Sequence, residues 1–225
     1  MFESGSSRAK WAANFMKVVL VFMALSLIIN ILTVISPPDV QRMESGQIDS
    51  SSLGLLAIAG LIGIGFFVAF IVTIVLYLMW LHRAYKNLQA LGQQTDYSPG
   101  WAVGYWFIPF INLVMPYKIV NELYEKSNFQ GNNSSSIVAI WWLTYILSGI
   151  IGWMANKITF GTKASEAIAT AAMVDIVSDT LLIIAGCACI KIINTVDEMQ
   201  EERVGGSQSN YLAQSPMGYQ TNYYR

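Results

Sequence analysis

The sequence predicts an all-α membrane protein, a polytopic four-helix bundle that also contains a re-entrant or interfacial segment. Hydrophobic residues make up 54% of the 225 residues and charged residues only 12%, whereas soluble domains carry about 25% charge. Several apolar stretches approach or exceed the roughly 20 residues that a helix needs to cross about 30 Å of hydrocarbon. Together these observations indicate helices that are solvated by lipid.

Four stretches are long and apolar enough to be spans. Three of them carry at most one charge, which is Lys17 at the edge of the first, while the fourth contains Asp175, Asp179 and Lys191. The predicted spans are 16–36, 53–81, 137–156 and 171–193.

The rest of the chain organises around these spans. Residues 16–200 form the predicted membrane domain, and residues 1–15 form a short cytoplasmic head. Residues 201–225 are rich in Gly, Ser, Gln, Asn and Tyr and poor in aliphatic residues. We therefore expect that tail to be disordered, because it cannot bury enough apolar surface to fold.

The stretch "YSPGWAVGYWFIPFINLVMPY", residues 97–117, is apolar but unsuited to a fifth span, and we call it the wedge. Residues 101–115 would reach only about 22 Å as a helix, and Pro109 disfavours a continuous helix through this stretch. The wedge is expected to dip into the membrane or lie in its interface, because non-helical backbone at membrane depth needs protein or water to satisfy its polar groups.

The distribution of basic residues supports four spans with both termini inside. Cytoplasmic segments carry an excess of Lys and Arg. If the wedge does not cross, the 13 basic residues divide into 10 inside (Arg8, Lys10, Lys17, Arg83, Lys86, Lys118, Lys126, Lys191, Arg203, Arg225) and 3 outside (Arg42, Lys157, Lys163). If it crosses, the same residues divide 7 to 6. The chain is therefore predicted to be a multi-pass protein of a bacterial inner, cytoplasmic membrane.

The wedge and the residues after it are predicted to lie at the inner membrane surface. Residues 116–127 have an apolar stripe and oppositely charged pairs four residues apart, which indicates an amphipathic helix. Aromatic side chains suit the headgroup level, and Lys and Arg attract anionic headgroups. The interfacial residues so predicted are Trp101, Tyr105, Trp106, Pro109, Asn112, Pro116 and Tyr117, with Arg83, Lys86 and Lys118 as possible headgroup contacts.

Two motifs carry a resemblance to a known family. The runs "MWLHRAYKNLQALG" and "YSPGWAVGYWFIPFINLVMPYKIVNELYEKS", together with the later "SD" in the fourth span, resemble the bacterial membrane family catalogued as domain of unknown function 4328. The segment "RAK" before the first span is similar to its Bacteroidota-type members. The resemblance covers roughly residues 8–200 and implies a four-helix membrane domain without an established activity.

The chain departs from that family pattern at two positions. Met115 stands where an Arg usually precedes the proline of an "RPY" motif, and His82 stands where an aromatic residue or Arg is common. The first departure weakens an anion-binding role for the wedge.

Polar residues within the spans form a predicted cluster. A carboxylate near the middle of a bilayer costs about 2.5–3.5 kcal/mol on insertion scales, so it should face protein or water. Counting helical rise from the span ends places Asn30, Ser148 and Asp179 at similar depth, with Asp175 one turn nearer the outside. The cluster either fixes helix packing or serves a proton or cation path.

Small residues recur at every third position near the start of the second span. Gly54, Ala57, Gly60 and Gly63 lie three residues apart, and such positions allow helices to approach closely. They are expected to pack the bundle itself, and a homodimer contact is the alternative.

Several classes of function have no support in the sequence. The net charge of -1 lacks the basic excess of a nucleic-acid binder. His82, the one histidine, has no carboxylate or thiol at ligand spacing, so we predict no metal site. No catalytic or cofactor motif is present, so we expect no cofactor and no enzymatic activity.

Three functions therefore stay open. The leading expectation is an accessory or scaffold subunit that binds other integral membrane proteins. The second is a small channel or transporter that uses Asp175 and Asp179. The third is a lipid-binding or membrane-shaping protein. Membrane lipids are expected partners in each case.

Overall fold

The protein is described by a computed structural model that covers the backbone of residues 1–36, 50–131, 134–161 and 164–214. Side chains are described for residues 1–36, 60–131, 134–154, 157 and 168–206. Arg42 and Lys163, two of the predicted outer cations, and the tail residues 215–225 lie outside the described residues.

Every regular element of the described residues is helical, which confirms the all-α class. The α-helices are α1 (Ser6–Ile35), α2 (Ser50–Ala90), α3 (Pro99–Gly104), α4 (Met115–Ser127), α5 (Ser136–Gly161) and α6 (Ala164–Gln214). Two 3₁₀ turns, Tyr105–Phe107 and Ile111–Leu113, lie between α3 and α4. The amphipathic helix therefore forms where the sequence predicts it.

Four helices are long and apolar enough to cross a membrane, as the sequence predicts. They comprise Ser6–Ile35, Gly60–Ala90, Ser136–Met154 and Ile168–Gly206. Between 6% and 28% of the most apolar stretch of each is buried inside the protein. Large apolar side chains such as Ile28 and Phe67 are more than half exposed, and hydrocarbon is the solvent that such a surface requires.

Helices α1 and α6 extend into residues that the sequence assigns to the head and to the tail. Helix α1 begins at Ser6 within the predicted head, because Ala9, Ala12 and Ala13 are buried against the other helices. The prediction of a disordered tail from residue 201 is wrong for residues 201–214, since α6 continues to Gln214.

The part of α6 around residues 200–203 is held by contacts with other elements. The Gln200 side chain is 3% exposed, and its Nε2 donates hydrogen bonds of 3.1 Å to the Ala84 carbonyl and to the Ser127 hydroxyl. The Arg203 guanidinium lies 5.0 Å from the centre of the Phe129 ring. These contacts anchor polar residues that have no apolar pattern of their own.

The hydrophobic core lies at one end of the bundle. Helix α6 packs along α1 and α5, and α1 also packs against α2. The core joins the start of α1, the last turns of α2, the helix α4, the start of α5 and the middle of α6. The wedge and α4 pack against this end, and the wedge is not among the four helices long enough to cross.

Local chemistry explains the shape of the wedge. Helix α3 begins with Pro99 in its first turn, and the Ser98 hydroxyl accepts a hydrogen bond of 3.3 Å from the Trp101 backbone N–H, which is a standard helix cap. The chain then turns at Phe110, whose φ of 64° is rare for a residue with a side chain. Phe110 is 85% exposed at the tip, so the wedge presents an apolar point to its surroundings.

Candidate functional site: a cavity beneath the wedge

Part of the predicted polar cluster comes together around Asp179. Its carboxylate accepts a hydrogen bond of 3.1 Å from the Asn30 amide and one of 2.9 Å from the Ser26 hydroxyl. These bonds join α6 to α1. Ser26 was missed by the depth argument, although it lies one helical turn before Asn30 and therefore on the same face.

The structure does not bring Ser148 to Asp179. The Ser148 hydroxyl donates instead to the Tyr145 carbonyl within α5 at 2.8 Å, and its carbonyl accepts from the Ser178 hydroxyl at 3.0 Å. Asp175 has no hydrogen-bond partner among the described side chains. Counting helical rise gives depth only, and the direction in which each side chain points depends on how the helices are rotated.

We expect the Asp179→Ala variant to be destabilised and the Asp179→Asn variant to be affected less, because the Asn oxygen can still accept from Ser26. Hydrogen bonds between membrane helices contribute about 0.6 kcal/mol each and at most about 1.7. The alanine variant should therefore lose about 1–2 kcal/mol of unfolding free energy, measured by titration with denaturing detergent. Equal losses in both variants, or a similar loss in the control Asp175→Ala, would contradict this role.

The predicted interfacial residues fall on two sides of the wedge. Trp101 and Pro109 are exposed, Tyr105 and Tyr117 are partly buried, and Pro116 is buried at the start of α4. Trp106 and Asn112 line a cavity on the inner side. The wedge thus has an outer apolar face and an inner face that closes the bundle.

The three predicted headgroup contacts, Arg83, Lys86 and Lys118, do not share one environment. Arg83 forms an ion pair of 2.7 Å with Glu3, and its Nε donates to the Glu3 carbonyl at 3.2 Å. Asn87 donates to the same carbonyl at 3.0 Å. Arg83 therefore holds the N-terminal residues against α2, while Lys86 and Lys118 are exposed and keep the availability that a headgroup contact requires.

A cluster of aromatic rings connects the wedge to α2 and α5. Trp106 of the wedge lies 5.3 Å from Tyr77 of α2, 6.3 Å from Trp141 and 6.2 Å from Trp142. Trp142 also donates its Nε1 hydrogen to the Leu113 carbonyl of the wedge at 3.0 Å. Its other face is stacked on Tyr145 at 5.4 Å. These contacts fix the position of the wedge over the bundle.

Beneath this cluster lies a cavity of about 420 Å³. Its volume falls within the range of about 300–1,000 Å³ that is typical of small-molecule sites. All four long helices and the wedge contribute to its walls, and no wall residue in the described part of the chain is charged. The lining includes Val19, Leu20 and Met23 of α1, Thr73 and Tyr77 of α2, Trp106, Phe107 and Asn112 of the wedge, Trp141, Trp142 and Tyr145 of α5, and Leu182, Ala185 and Gly186 of α6.

Two hydrogen-bond donors in these walls have no partner within the described part of the protein. They are the Tyr77 hydroxyl and the Trp106 Nε1. The Thr73 hydroxyl, by contrast, donates to the Ala69 carbonyl of its own helix at 2.7 Å. The cavity is therefore apolar and uncharged, with a small number of polar groups.

A second buried network holds the wedge from the other side. The Glu122 carboxylate of α4 accepts from the Tyr85 hydroxyl of α2 at 2.9 Å, from the Asp96 backbone N–H at 2.6 Å and from Lys126 at 2.6 Å. The same Tyr85 hydroxyl lies 2.7 Å from the Ile119 carbonyl, so its one hydrogen is shared between the two acceptors. Glu122 thus joins α2, α4 and the segment that leads into the wedge.

The ion pair of this network gives a pH-dependent contribution to stability. Burial lowers the pKa of Lys126, but hydrogen bonds and charge attraction from Glu122 and Asp96 outweigh burial, so the pKa of Lys126 is raised above its ordinary 10.5. A raised folded-state pKa adds stability below the unfolded-state pKa, and that stability is lost as the pH rises through the folded-state value.

We therefore expect the Lys126→Met variant to be less stable than the native protein by about 0.5–1 kcal/mol at neutral pH. The difference should stay constant to about pH 9 and shrink above about pH 10.4, where the unfolded lysine loses its proton. Thermal unfolding across this pH range measures it. The exposed Lys118→Met control should show no such trend, and a difference that grows with pH would refute the assignment.

Sequence reasoning missed most of the cavity and the network around Glu122. Tyr77 and Trp141 were not singled out, although the adjacent tryptophans 141 and 142 near a span end are an available signal for an interfacial contact. Glu122 was noted only as a member of charge pairs on an amphipathic helix.

The fold and site define a class: a helical bundle with four helices that can cross a membrane, closed at one end by an aromatic wedge over an apolar cavity. The chain belongs to the family described as Domain of unknown function (DUF4328), whose model matches residues 54–198. This confirms the resemblance inferred from the two motifs. No curated protein and no solved structure matches the chain.

The motif residues have clear roles in the structure. In the first motif, Trp80 and Leu88 are core residues, Tyr85 binds Glu122, and Arg83 and Asn87 hold the N-terminal residues. The second motif supplies the wedge. The signature of the family therefore describes the core end of this bundle.

Proposed function

We propose that the protein is a non-enzymatic membrane protein that binds an uncharged, lipid-soluble small molecule in the cavity beneath the wedge. The cavity itself carries this proposal, since its walls are apolar and aromatic and lack charge. Such walls favour apolar ligands through burial of their surface, and a charged ligand would lose its hydration without compensation.

A matched pair of variants on α1 tests the proposal. Val19 lines the cavity and is 6% exposed, whereas Val18 is 43% exposed on the outside of the same helix. The probe is N-phenylnaphthylamine, a neutral apolar fluorophore, and binding to full-length protein in phosphatidylcholine nanodiscs is followed by energy transfer from tryptophan. Val19→Phe should occupy part of the cavity and weaken binding, while Val18→Phe should bind like the native protein.

Substitutions of increasing size at Val19 separate filling of the cavity from misfolding of the protein. Val19→Leu should weaken probe binding less than Val19→Phe, and thermal unfolding should show that each variant is folded. The proposal fails if energy transfer from the native protein to the probe is no greater than partitioning of the probe into the lipid would produce. It also fails if Val18→Phe and Val19→Phe bind the probe alike.

For its location, we propose an inner, cytoplasmic membrane of a bacterium with both termini in the cytoplasm. The division of basic residues supports this orientation. In a background that replaces Cys187 and Cys189 by alanine, a cysteine at Ser4 should resist a membrane-impermeant maleimide on intact spheroplasts, and one at Ser45 should react. The reverse pattern would overturn it.

An accessory role that binds other integral membrane proteins is the second candidate, and the outer part of α2 favours it. Gly60 and Gly63 are exposed, and a methyl group added at either would meet no atom of the described residues within 4 Å. These glycines therefore do not pack the described bundle, contrary to the expectation from the sequence. They leave a smooth helix surface of the kind that membrane helices use for close contacts.

Crosslinking in native membranes tests this second candidate. A stable neighbouring membrane protein should be captured by the native chain and lost in Gly60→Leu/Gly63→Leu, whereas Leu61→Ala, on an adjacent exposed position, should retain it. Absence of any stable neighbour would refute it. For the channel or transporter alternative, the cavity offers no support, because neither Asp175 nor Asp179 is among its wall residues.

A further inference from the structure

The two donors without partners give the cavity a chemical preference beyond apolarity. Tyr77 is 6% exposed and Trp106 is partly buried. Their rings meet edge to face, with centroids 5.3 Å apart and planes at 70°. The hydroxyl of one and the Nε1 of the other therefore belong to adjoining side chains in one region of the wall.

A ligand that supplies acceptor atoms would stabilise this region. A buried donor without a partner destabilises the protein, and folded proteins pair the large majority of such groups. The indole N–H can only donate, so its partner must be an acceptor. Since the walls contain no charged residue, the acceptor is favoured to be neutral, such as a carbonyl oxygen.

The shape of the walls selects among neutral acceptors. Five aromatic side chains surround this part of the cavity: Tyr77, Trp106, Trp141, Trp142 and Tyr145. Aromatic rings prefer offset-stacked or edge-to-face contacts with other flat rings. A flat head with carbonyl oxygens at its edges satisfies both the rings and the donors.

We propose, resting on the proposed function above, that the cavity binds a lipophilic quinone, with a carbonyl oxygen accepting hydrogen bonds from Tyr77 and Trp106. The quinone ring stacks among the aromatic side chains, and its apolar tail lies along the aliphatic residues of α1 and α6. Both donor atoms are buried in the wall, so they meet the carbonyl after a change of side-chain torsion.

Other lipid classes fit these walls less well. Phospholipids and fatty acids carry a charged group, and no cation of the wall would balance it. A diacylglycerol is neutral and has ester carbonyls, but it lacks a flat ring to occupy the space between the tryptophans.

A competition experiment tests the quinone. Full-length protein in phosphatidylcholine nanodiscs is loaded with N-phenylnaphthylamine and titrated with menadione, a methylnaphthoquinone, or with methylnaphthalene, which has the same fused rings without the carbonyls. We expect menadione to displace the probe at about tenfold lower concentration, which corresponds to about 1.4 kcal/mol and is within what hydrogen bonds from two donors contribute. Midpoints rather than amplitudes are compared, because the variants differ in tryptophan content.

Two conservative variants connect this advantage to the donors. Tyr77→Phe and Trp106→Phe keep an aromatic ring but remove the hydroxyl and the N–H. Each should reduce the advantage of menadione over methylnaphthalene several-fold while the probe still binds. Tyr124→Phe is the matched control, since Tyr124 is a core tyrosine, 4% exposed, that does not line the cavity.

The outcomes separate this inference from the proposed function. If the probe binds and Val19→Phe weakens it, but menadione competes no better than methylnaphthalene, the quinone is refuted and the apolar site remains. Stronger competition by dioleoylglycerol than by menadione would likewise refute the quinone in favour of an ester lipid. If the probe does not bind at all, both proposals fall.

Discussion

Replacing Glu122 with alanine is expected to lower the free energy of unfolding by about 3 kcal/mol. The variant would leave the Tyr85 hydroxyl and the Asp96 backbone N–H with one acceptor fewer, and it would remove the nearer of the two carboxylates that pair with Lys126. Hydrogen bonds to charged groups contribute roughly 1.5–3 kcal/mol, and the partly exposed ion pair with Lys126 adds about 0.5–1 kcal/mol. Thermal or detergent-induced unfolding of the purified protein measures the loss.

Two companion variants make this result specific. Glu122→Gln keeps an oxygen that can accept from Tyr85, so it should lose less stability than Glu122→Ala. Glu125→Ala, three residues along α4, removes an exposed carboxylate whose described contact is a hydrogen bond of 3.1 Å from the Ser135 hydroxyl. That variant should change stability by less than about 0.5 kcal/mol. A loss for Glu125→Ala as large as that for Glu122→Ala would show that helix α4 tolerates no substitution at all.

The second large effect is expected at Trp80. Its side chain is 1% exposed, in the core where α2 meets the helices around the wedge, and its ring lies 5.5 Å from that of Tyr77. Truncating a buried tryptophan to alanine removes its contacts and leaves a cavity, which costs about 3–5 kcal/mol. We expect Trp80→Ala to fall in that range when unfolding is measured in detergent.

The adjacent residue provides the control for this substitution. Met79 is 50% exposed on the same helix, so Met79→Ala should cost much less than Trp80→Ala. Because Trp80 supports Tyr77, its loss should also weaken probe binding in the cavity. Equal stability of the two variants would place the core somewhere other than the end of the bundle.

The four spans could be predicted because the membrane imposes a local requirement. A helix that faces lipid needs an uninterrupted apolar stretch of a set length, and such a stretch is visible without knowing its neighbours. The same reasoning predicted that the wedge is not a fifth span, since Pro109 and the short length of the wedge are also local features. The amphipathic α4 was visible for the same reason.

Helix ends were predicted less well because they depend on contacts. Helix α1 starts at Ser6 since its first alanines are buried against α2 and α6, and α6 continues past residue 200 since Gln200 bonds to Ala84 and Ser127. Polar and small residues of this kind have no apolar signature. Only the neighbouring helix shows that they are buried.

The site shows the same division between local and tertiary information. Trp106 and Asn112 were predicted as interfacial residues, but their position on the wall of a cavity depends on how the wedge packs over α2 and α5. Asp179 was predicted to need a polar partner, and Asn30 was found by depth. Ser148 was not a partner, because depth along a helix says nothing about the direction in which a side chain points.

The sequence alone determined that this protein is helical, that four of its helices can cross a membrane, that the wedge is not a fifth, and to which family the chain belongs. Each of these follows from composition, length or a contiguous motif. Only the tertiary structure decided that Arg83 holds the N-terminal residues, that Glu122 joins three segments, and that aromatic residues distant in the chain enclose a cavity. The physical reason is that such contacts depend on the rotation of each helix about its axis. Packing sets this rotation, and it cannot be inferred from the sequence of these spans, because they are apolar on nearly every side.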